Sequence, residues 1–173
     1  MNQAQEDLLV LAAQSGNSEA FTFLCKNYQQ GVTRFAYKLC SDPQIVQDAV
    51  QNAWLKLAKN LHKLKDPRAF KSWLFKTVRW SVYDLMRAAK RDKEIIENDI
   101  DVVDIVASTK SESLDIASLI EQLPEIDKQV IHLFYLEEMQ LTQIAEVLEV
   151  PLGTVKSRLF RARKALQKSV EEK

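Results

Sequence analysis

Apolar residues recur at helical spacing along most of the chain, and short polar breaks divide this pattern into segments. One break, Ser15-Gly16-Asn17-Ser18, combines a helix stop with residues that cap a following helix. Asp42-Pro43 and Asp66-Pro67 each place a capping carboxylate before a proline, which is favoured at helix starts because its missing N–H is not needed there. The pattern therefore predicts helices over residues 5–40, as two or three elements, and over about 43–61 and 67–90.

A stretch of different character follows these helices. Residues 91–114 are rich in acidic and β-branched residues and end in Ser-Thr-Lys-Ser-Glu-Ser, so we predict a linker with a short helix near Ile95. Glycine (3 residues) and proline (4) are scarce and hydrophobic residues make up 46% of the chain, which favours a helical protein. We predict an all-α fold in which two helical domains, 1–90 and 115–173, are joined by the acidic linker 91–114.

The C-terminal part of the chain predicts a helix-turn-helix over residues 141–168. A first helix is interrupted at Val150-Pro151, and an apolar stripe then resumes with the spacing i, i+4, i+7 and i+11 at Val155, Leu159, Ala162 and Leu166. The helix that precedes this motif is predicted to bury Ile126, Val130, Ile131, Phe134 and Tyr135.

The second helix of the motif carries cations and no acid. At about 100° per residue, the face opposite its apolar stripe contains Thr154, Ser157, Arg161, Lys164 and Lys168, with Arg158 at its margin. The basic residues between Gly153 and Ser169 are Lys156, Arg158, Arg161, Arg163, Lys164 and Lys168. We predict that this helix binds the major groove, with its early side chains at base edges and its cations on phosphates. The alternative interpretation is a solvated amphipathic helix.

The helix predicted over residues 67–90 interleaves cations with aromatic rings. One side is apolar, and the other carries Lys76, Arg79, Trp80, Tyr83, Arg87 and Lys90. Such a surface is typical of proteins that hold single-stranded nucleic acid, with phosphates on the cations and bases stacked on the rings. The alternative is that Trp73, Trp80 and Tyr83 are simply buried, which is least favoured for Trp80 because it lies among charges.

Two segments resemble one known family. Residues 151–163, PLGTVKSRLFRAR, resemble the promoter-reading helix of bacterial sigma factors, in particular the small extracytoplasmic-function (ECF) type. Asp48-Ala49-Val50-Gln51, followed by Trp73-Leu74-Phe75-Lys76, resembles the second conserved region of the same family. The resemblance covers about residues 5–90 and 115–168.

The resemblance implies specific roles for these segments. The first helix of the conserved region binds the clamp helices of the polymerase largest subunit, which assigns polymerase contact to Asp48, Val50 and Gln51. The second helix melts and captures the minus-ten element, which assigns promoter contact to Lys71, Trp73, Lys76 and Arg79. The C-terminal domain would dock on the polymerase β-flap and read the minus-thirty-five element. The linker would run through the polymerase cleft, or act as an inert tether.

Three positions depart from the family pattern. Ile45-Val46-Gln47 stands where acids are usual, Trp80 stands where asparagine is common, and Glu149 stands where Leu-Gly often forms the turn. A left-handed backbone at Glu149 would cost on the order of 1 kcal/mol. The missing acids suggest that phosphorylation of Ser41 strengthens polymerase binding, because an anion is favoured near a helix N-terminus. The alternative is that Ser41 only helps Asp42 to cap the helix.

Other function classes find little support in the sequence. His62 and His132 lack neighbouring ligand or nucleophile patterns, and no glycine-rich phosphate loop is present, so we predict no enzyme activity, no metal and no cofactor. Cys25 and Cys40 are predicted to be buried thiols. No apolar run approaches 18 residues, and we predict a cytoplasmic protein without membrane contact.

The net charge of zero conceals a strong asymmetry. Residues 1–90 carry +6, residues 91–114 carry −4, and residues 115–173 carry −2. We predict an ECF sigma factor whose partners are core RNA polymerase and double- and single-stranded promoter DNA, with an anti-sigma factor or a kinase as further candidates. The alternatives are a polymerase-independent regulator with a helix-turn-helix, and an adaptor that occupies the sigma site on polymerase without initiating transcription.

Overall fold

The computed structural model describes residues 1–97 and 116–171, and every regular element within these ranges is helical. The N-terminal half comprises α1 (Gln3–Gln14), α2 (Ser18–Leu39), α3 (Pro43–Asn60) and α4 (Phe70–Glu97), with 3₁₀ turns at Leu61–Lys63 and Pro67–Ala69. The C-terminal half comprises α5 (Ile116–Glu121), α6 (Glu125–Ile131), α7 (Leu141–Leu148) and α8 (Leu152–Glu171), with a π-helical turn at His132–Leu136. None of the described helices is long and apolar enough to span a bilayer.

The helix starts follow the capping signals of the sequence. The side chain of Asn17 caps α2 by accepting from Ala20 N, and Asp42 caps α3 by accepting from Gln44 N and Ile45 N. The predicted break at residues 15–18 and the predicted start at Asp42-Pro43 are therefore confirmed. Asp66 also acts as a cap, but it starts the 3₁₀ turn, so α4 itself begins at Phe70.

Helix α4 ends later than predicted. It continues to Glu97, so its last seven residues are the beginning of the predicted linker, and the predicted short helix near Ile95 is the end of α4. Residues 91–97 include neither glycine nor proline, and a change from basic to acidic composition does not by itself stop a helix. The rest of the predicted linker lies outside the described residues.

The core joins both halves. Phe35, Phe70, Leu74 and Phe75 are fully buried between α2, α3 and α4, and the Phe35 ring packs on Phe75 with centroids 5.6 Å apart. The same Phe35 ring also lies 5.6 Å from the ring of His132, which belongs to the C-terminal half. His132 is thus a core histidine, as its apolar surroundings in the sequence indicated.

The π-helical turn changes which residues the C-terminal half buries. Val130 and Ile131 are buried as predicted, but Tyr135 is half exposed, so its predicted burial was wrong. Glu137 N donates to His132 O across the turn, an i to i+5 bond that fits one more residue into the turn than an α-helix does. The apolar stripe that the sequence predicted for a regular α-helix therefore no longer marks the buried residues beyond this turn.

Neither cysteine is fully buried. Cys25 and Cys40 are both free and half-buried, so the prediction of buried thiols was too strong. Burial is nevertheless sufficient to raise the pKa of the Cys25 thiol.

Two phenylalanines of α2 provide a test of this core. Phe35→Ala should lower the free energy of unfolding by about 3 to 5 kcal/mol, because Phe35 is fully buried and the substitution leaves a cavity. Phe23→Ala is the matched control, since Phe23 is 53% exposed on the same helix and should change stability by no more than about 0.5 kcal/mol. Urea unfolding measures both variants, and equal effects would contradict the packing described.

Candidate nucleic-acid and polymerase interfaces

The helix-turn-helix is formed by α7 and α8, and its turn is strained at Glu149. The backbone of Glu149 is left-handed, with φ 57° and ψ 43°, and its N–H donates to Ala145 O. A residue with a Cβ pays about 1 kcal/mol for this conformation. The left-handed turn expected at this position is therefore present, without the glycine that would form it freely.

The two faces of α8 are those that the sequence predicted. Val155, Leu159 and Ala162 are buried and Leu166 is half-buried. Thr154 and Arg158 are half-buried, and the exposed polar positions are Lys156, Ser157, Arg161, Arg163, Lys164 and Lys168. A cationic surface is therefore open to solvent along this helix.

Two arginines of α8 are positioned by a buried carboxylate. Asp127 of α6 is 3% exposed and accepts from Arg158 at 3.1 Å, and Arg161 lies 3.6 Å from the same oxygen. Arg161 keeps 61% of its side chain exposed, compared with 27% for Arg158. Arg161 can therefore still reach a phosphate, whereas Arg158 serves mainly to join α8 to α6.

Arg163 points away from the predicted groove face. Its guanidinium lies over the rings of Phe134 and Tyr135, at 5.2 and 5.4 Å from their centroids, and its Nε donates to the Tyr135 hydroxyl at 2.6 Å. These contacts fix α8 to the π-helical turn, and they could not be foreseen while Tyr135 was expected to be buried.

The cationic and aromatic face of α4 lies against the C-terminal half. Lys76 forms an ion pair with Glu149 at 3.0 Å, and the indole N–H of Trp80 donates to the same carboxylate at 3.0 Å. The Lys76 ammonium, aided by the Trp80 indole, holds the pKa of Glu149 below its usual range. Trp80 is 46% exposed, as its charged neighbours suggested.

Farther along α4, the side-chain amide of Gln129 contacts two more residues of the cationic and aromatic face. Arg79 donates to Gln129 Oε1 at 3.1 Å, and Gln129 Nε2 donates to the Tyr83 hydroxyl at 3.0 Å. The guanidinium of Arg79 also lies over the Tyr83 ring, 4.9 Å from its centroid. Arg87 instead pairs with Asp84 of its own helix. Trp73 is half-buried beside Lys56 and Lys63, on another side of α4.

Glu137 anchors the start of α4 to α2 and to the π-helical turn. Its carboxylate lies 3.3 Å from Arg34 and 3.3 Å from His132 Nε2, and Lys71 donates to its carbonyl oxygen. Burial alone would raise the pKa of Glu137, but His132, Arg34 and Lys71 together hold this pKa below its ordinary value. Gly31 faces the same carboxylate so closely that a Cβ there would lie 2.5 Å from Glu137 Oε2.

Two of the three residues predicted to contact polymerase, Val50 and Gln51, line a groove between α2 and α3. The groove has a volume of about 610 Å³, and its lining includes Val50, Gln51, Gln47, Tyr37, Trp54 and Leu55. Val50 is only 4% exposed and contributes to the floor, whereas Gln51 is exposed at the side. Asp48 is half-buried and accepts from Gln44 at 3.0 Å, outside the groove lining.

The sequence did not reveal the acceptors that cover α4. Gln129 lies in α6, whereas Glu146 and Glu149 lie at the end of α7, and no motif groups them. The one available signal was the charge asymmetry between the two halves of the chain. Among the described residues, no cluster of three potential metal ligands occurs.

Comparisons with known proteins agree with this geometry. The family model described as "Sigma-70 region 2" matches residues 24–92, and the one described as "Sigma-70, region 4" matches residues 113–166. The RNA polymerase sigma-H factor of Pseudomonas aeruginosa is 29% identical, with 99% of this chain and 96% of that protein covered. The ECF RNA polymerase sigma factor SigW of Bacillus subtilis is 26% identical, with 91% and 92% covered.

Solved structures show the same fold. The sigma factor RpoE of Bartonella quintana, in complex with the anti-sigma factor NepR, has a TM-score of 0.66 at 26% identity and covers 87% of this chain and 96% of its own. CnrH, in complex with the cytosolic domain of CnrY, has a TM-score of 0.68 at 24% identity, with 97% and 98% covered. The fold is thus two helical domains of the sigma type. The chain belongs to the ECF sigma factors, which act in transcription initiation and in general are not enzymes.

The contacts of Arg163 predict a structural effect on α8. Arg163→Ala should lower the stability of the C-terminal half by about 1 kcal/mol, because it removes the ring contacts and the bond to Tyr135. Lys164→Ala, at the exposed neighbouring position, should leave stability unchanged within about 0.5 kcal/mol. Thermal unfolding followed by circular dichroism compares the two variants. A larger loss for Lys164→Ala would contradict the assignment.

Proposed function

We propose that the protein binds core RNA polymerase and reads promoters in two parts. The observation that carries this proposal is the presence, on one chain, of an exposed cationic helix-turn-helix and a second helix that interleaves cations with aromatic rings. The first surface suits duplex DNA and the second suits unstacked single strands. Residues 1–90 and 115–173 would act as the two domains, and residues 91–114 would connect them along polymerase.

On α8 the early side chains would lie at base edges of the minus-thirty-five element. Thr154, Lys156 and Ser157 are in the first turns, and Arg161, Lys164 and Lys168 would follow the phosphates. Arg158 and Arg163 would contribute indirectly, since their contacts with Asp127 and the aromatic rings set the orientation of the helix.

On α4 the minus-ten single strand would bind along Lys71, Trp73, Lys76, Arg79, Trp80, Tyr83 and Arg87. The cations would hold phosphates, and the half-exposed ring of Trp80 is the best placed to stack on a base. Tryptophan at this position, instead of the asparagine that is common in the family, would favour stacking over hydrogen-bonded base recognition.

The groove between α2 and α3 is the proposed site for the polymerase clamp helices. Its lining residues are apolar or uncharged, and the exposed Leu55 and Tyr37 offer anchors to a partner helix. Gln51 and Asp48 would then act at its border. The C-terminal half would dock on the β-flap. This binding to polymerase would take place in the cytoplasm.

Regulatory partners are proposed on narrower grounds. Because the Bartonella quintana relative was solved with an anti-sigma factor, an anti-sigma factor is a candidate partner here. Ser41 is exposed immediately before the cap of α3, where a phosphate would lie at the helix N-terminus. A kinase acting on Ser41 therefore stays a prediction. If the unmodified protein binds core polymerase as tightly as the Gln47→Glu variant does, the prediction of a kinase fails.

Reconstitution with core polymerase tests the function as a whole. Transcripts made from genomic DNA should start at discrete promoters when the protein is added, and their start sites can be mapped by sequencing. Footprints on DNA without polymerase would instead indicate an independent regulator, and polymerase binding without initiation would indicate an adaptor.

Leu55 tests the groove. Leu55→Lys should weaken binding to core polymerase at least tenfold, because it places a charge where a buried leucine would contribute about 1.5 to 3 kcal/mol. The control is Leu8→Lys, an equally drastic change at a 67% exposed position of α1, compared with 52% for Leu55. Fluorescence anisotropy of labelled protein measures both. Equal losses of polymerase affinity in the two variants would show that the groove is not part of the polymerase interface.

Arg161 tests the duplex contact. Arg161→Ala should weaken promoter binding by the polymerase complex and reduce the slope of log affinity against log salt by about one, because one phosphate contact is lost. Lys26→Ala removes an exposed cation of α2 and should leave the slope unchanged. Binding assays on duplex promoter DNA over a series of salt concentrations measure the slope for both variants. An unchanged slope for Arg161→Ala would exclude this contact.

A further inference from the structure

We propose that Asp127 determines how well α8 distinguishes a promoter from other duplex DNA, by withholding the charge of Arg158 from phosphates and by holding Arg161 in position. Asp127 is a positioning residue in this role, because only 3% of it is exposed and it does not itself touch DNA. The inference rests on the proposed function, since it concerns the duplex contact of α8.

Asp127 supplies a carboxylate that α8 itself lacks. Between Gly153 and Ser169 the chain carries six cations and no acid. Helix α6 packs against α8, and its first turn contains Asp127. One oxygen of this carboxylate accepts from Arg158 Nη1 at 3.1 Å and lies 3.6 Å from Arg161 Nη2. The helix that carries the duplex surface is therefore partly neutralised by a residue of another helix.

The burial of Asp127 commits one arginine to it. A buried carboxylate that loses its partner keeps an uncompensated charge, which strongly destabilises the fold. Arg158 is the arginine held in this way, since 27% of its side chain is exposed, compared with 61% for Arg161. The charge of Arg158 is therefore used within the protein and is withheld from phosphates.

The Nε of Arg158 indicates that the carboxylate keeps this side chain turned inward. That N–H is buried and has no hydrogen-bond partner among the described residues. A buried donor without an acceptor costs free energy, and this cost disappears if the guanidinium turns to solvent. Neutralising Asp127 should therefore release Arg158 to the margin of the cationic face, where its helical position places it.

A released Arg158 would add affinity mainly to complexes on the wrong sequence. Contacts with phosphates carry no sequence information, whereas side chains at base edges provide it. On a promoter the base-edge contacts of α8 fix the register of this helix. On any other duplex α8 can shift until a free guanidinium reaches a phosphate. The pairing of Arg158 with Asp127 therefore favours discrimination over total affinity.

Arg161 is held beside the same oxygen without being withdrawn from solvent. A long side chain with several rotatable bonds loses freedom when it binds, and a side chain that is already held loses less. The distance of 3.6 Å and the exposure of 61% leave the Arg161 guanidinium open to a phosphate. Loss of Asp127 should therefore weaken the aligned promoter contact of Arg161 while it frees Arg158.

Asp127→Asn tests this proposal in the full chain, on a short fluorescein-labelled duplex of mixed sequence. The variant should bind about threefold to tenfold more tightly at low salt, and the slope of log affinity against log salt should steepen by about one, because a further cation reaches a phosphate. A merely structural role would weaken binding or leave the slope unchanged. Fluorescence anisotropy over a series of salt concentrations measures both quantities. An unchanged slope would overturn the proposal.

Glu125→Gln is the matched control. Glu125 also lies in the first turn of α6, but its carboxylate is exposed and pairs with Lys128 of the same helix at 2.9 Å. The control removes the same charge without releasing an arginine of α8, so the affinity and the slope should match those of the unaltered protein. Equal steepening in the two variants would indicate a general effect of charge and would also overturn the proposal.

A double variant keeps the test decisive if Asp127→Asn alone unfolds the C-terminal half. Asp127→Asn combined with Arg158→Met removes both members of the pair, so that no buried charge is left without its partner. Its slope should equal that of the unaltered protein, because Arg158 holds no phosphate there. A slope shallower by about one would mean that Arg158 already contacts a phosphate in the unaltered protein, which contradicts the proposal.

Promoter discrimination is measured with the polymerase complex. The ratio of its affinities for a promoter duplex, mapped by reconstitution, and for a duplex of shuffled sequence should fall about threefold or more in Asp127→Asn. The ratio should be unchanged in Glu125→Gln, and an unchanged ratio in Asp127→Asn would overturn the proposal. If polymerase starts at no promoter while the slope of the free chain still steepens, the proposed function fails and the control of duplex binding by Asp127 stands. Initiation at promoters with an unchanged slope would have the reverse meaning.

Discussion

The interaction on which the arrangement of the two halves depends is the packing of the C-terminal half against α4. This helix buries Phe70, Leu74 and Val78 on one side and presents Lys76 and Arg79 on the other. Its buried residues belong to a core that the C-terminal half shares, and its cations are paired with acceptors of that half. On a promoter those cations would instead hold phosphates. The same charges that would make α4 suitable for DNA therefore also make it a docking surface for its own chain.

Electrostatic contacts are only part of what joins the two halves. Partly exposed ion pairs contribute about 0 to 1 kcal/mol each, so the Lys76 and Arg34 pairs cannot hold the halves together alone. The buried residues of α6, of the π-helical turn and of α7 belong to the same apolar core as those of α2 and α4. Phe35, which packs on both Phe75 and His132, lies within this shared core. The ion pairs therefore make the interface specific, and apolar packing supplies most of its stability.

Much of the fold could be predicted from the sequence, for reasons that particular residues make clear. Asp42-Pro43 and Asn17 mark helix starts locally, and the stripe from Val155 to Leu166 marks the buried side of α8, because both signals are contained within a few turns. The late end of α4 and the exposed Tyr135 escaped prediction. The former has no stop residue, and the latter depends on a π-helical turn whose cause is tertiary.

The candidate sites could likewise be predicted only in part. The cations of α8 and α4 were identifiable because helical spacing fixes which side chains share a face. Their partners were not, since Asp127, Gln129 and Glu149 meet those cations only after distant segments pack together. Arg163 illustrates the limit: its charge suggested DNA, and only the rings beside it disclose that it braces the helix.

Gly31 sets how closely the two halves can approach. Because it lacks a side chain, the carboxylate of Glu137 can settle against the backbone of α2, between Arg34 and His132. A Cβ at this position would displace the Glu137 carboxylate and weaken its contacts with Arg34 and His132. A single methyl group at position 31 would therefore loosen the contact between the two halves beside Lys71, which donates to the Glu137 carbonyl oxygen.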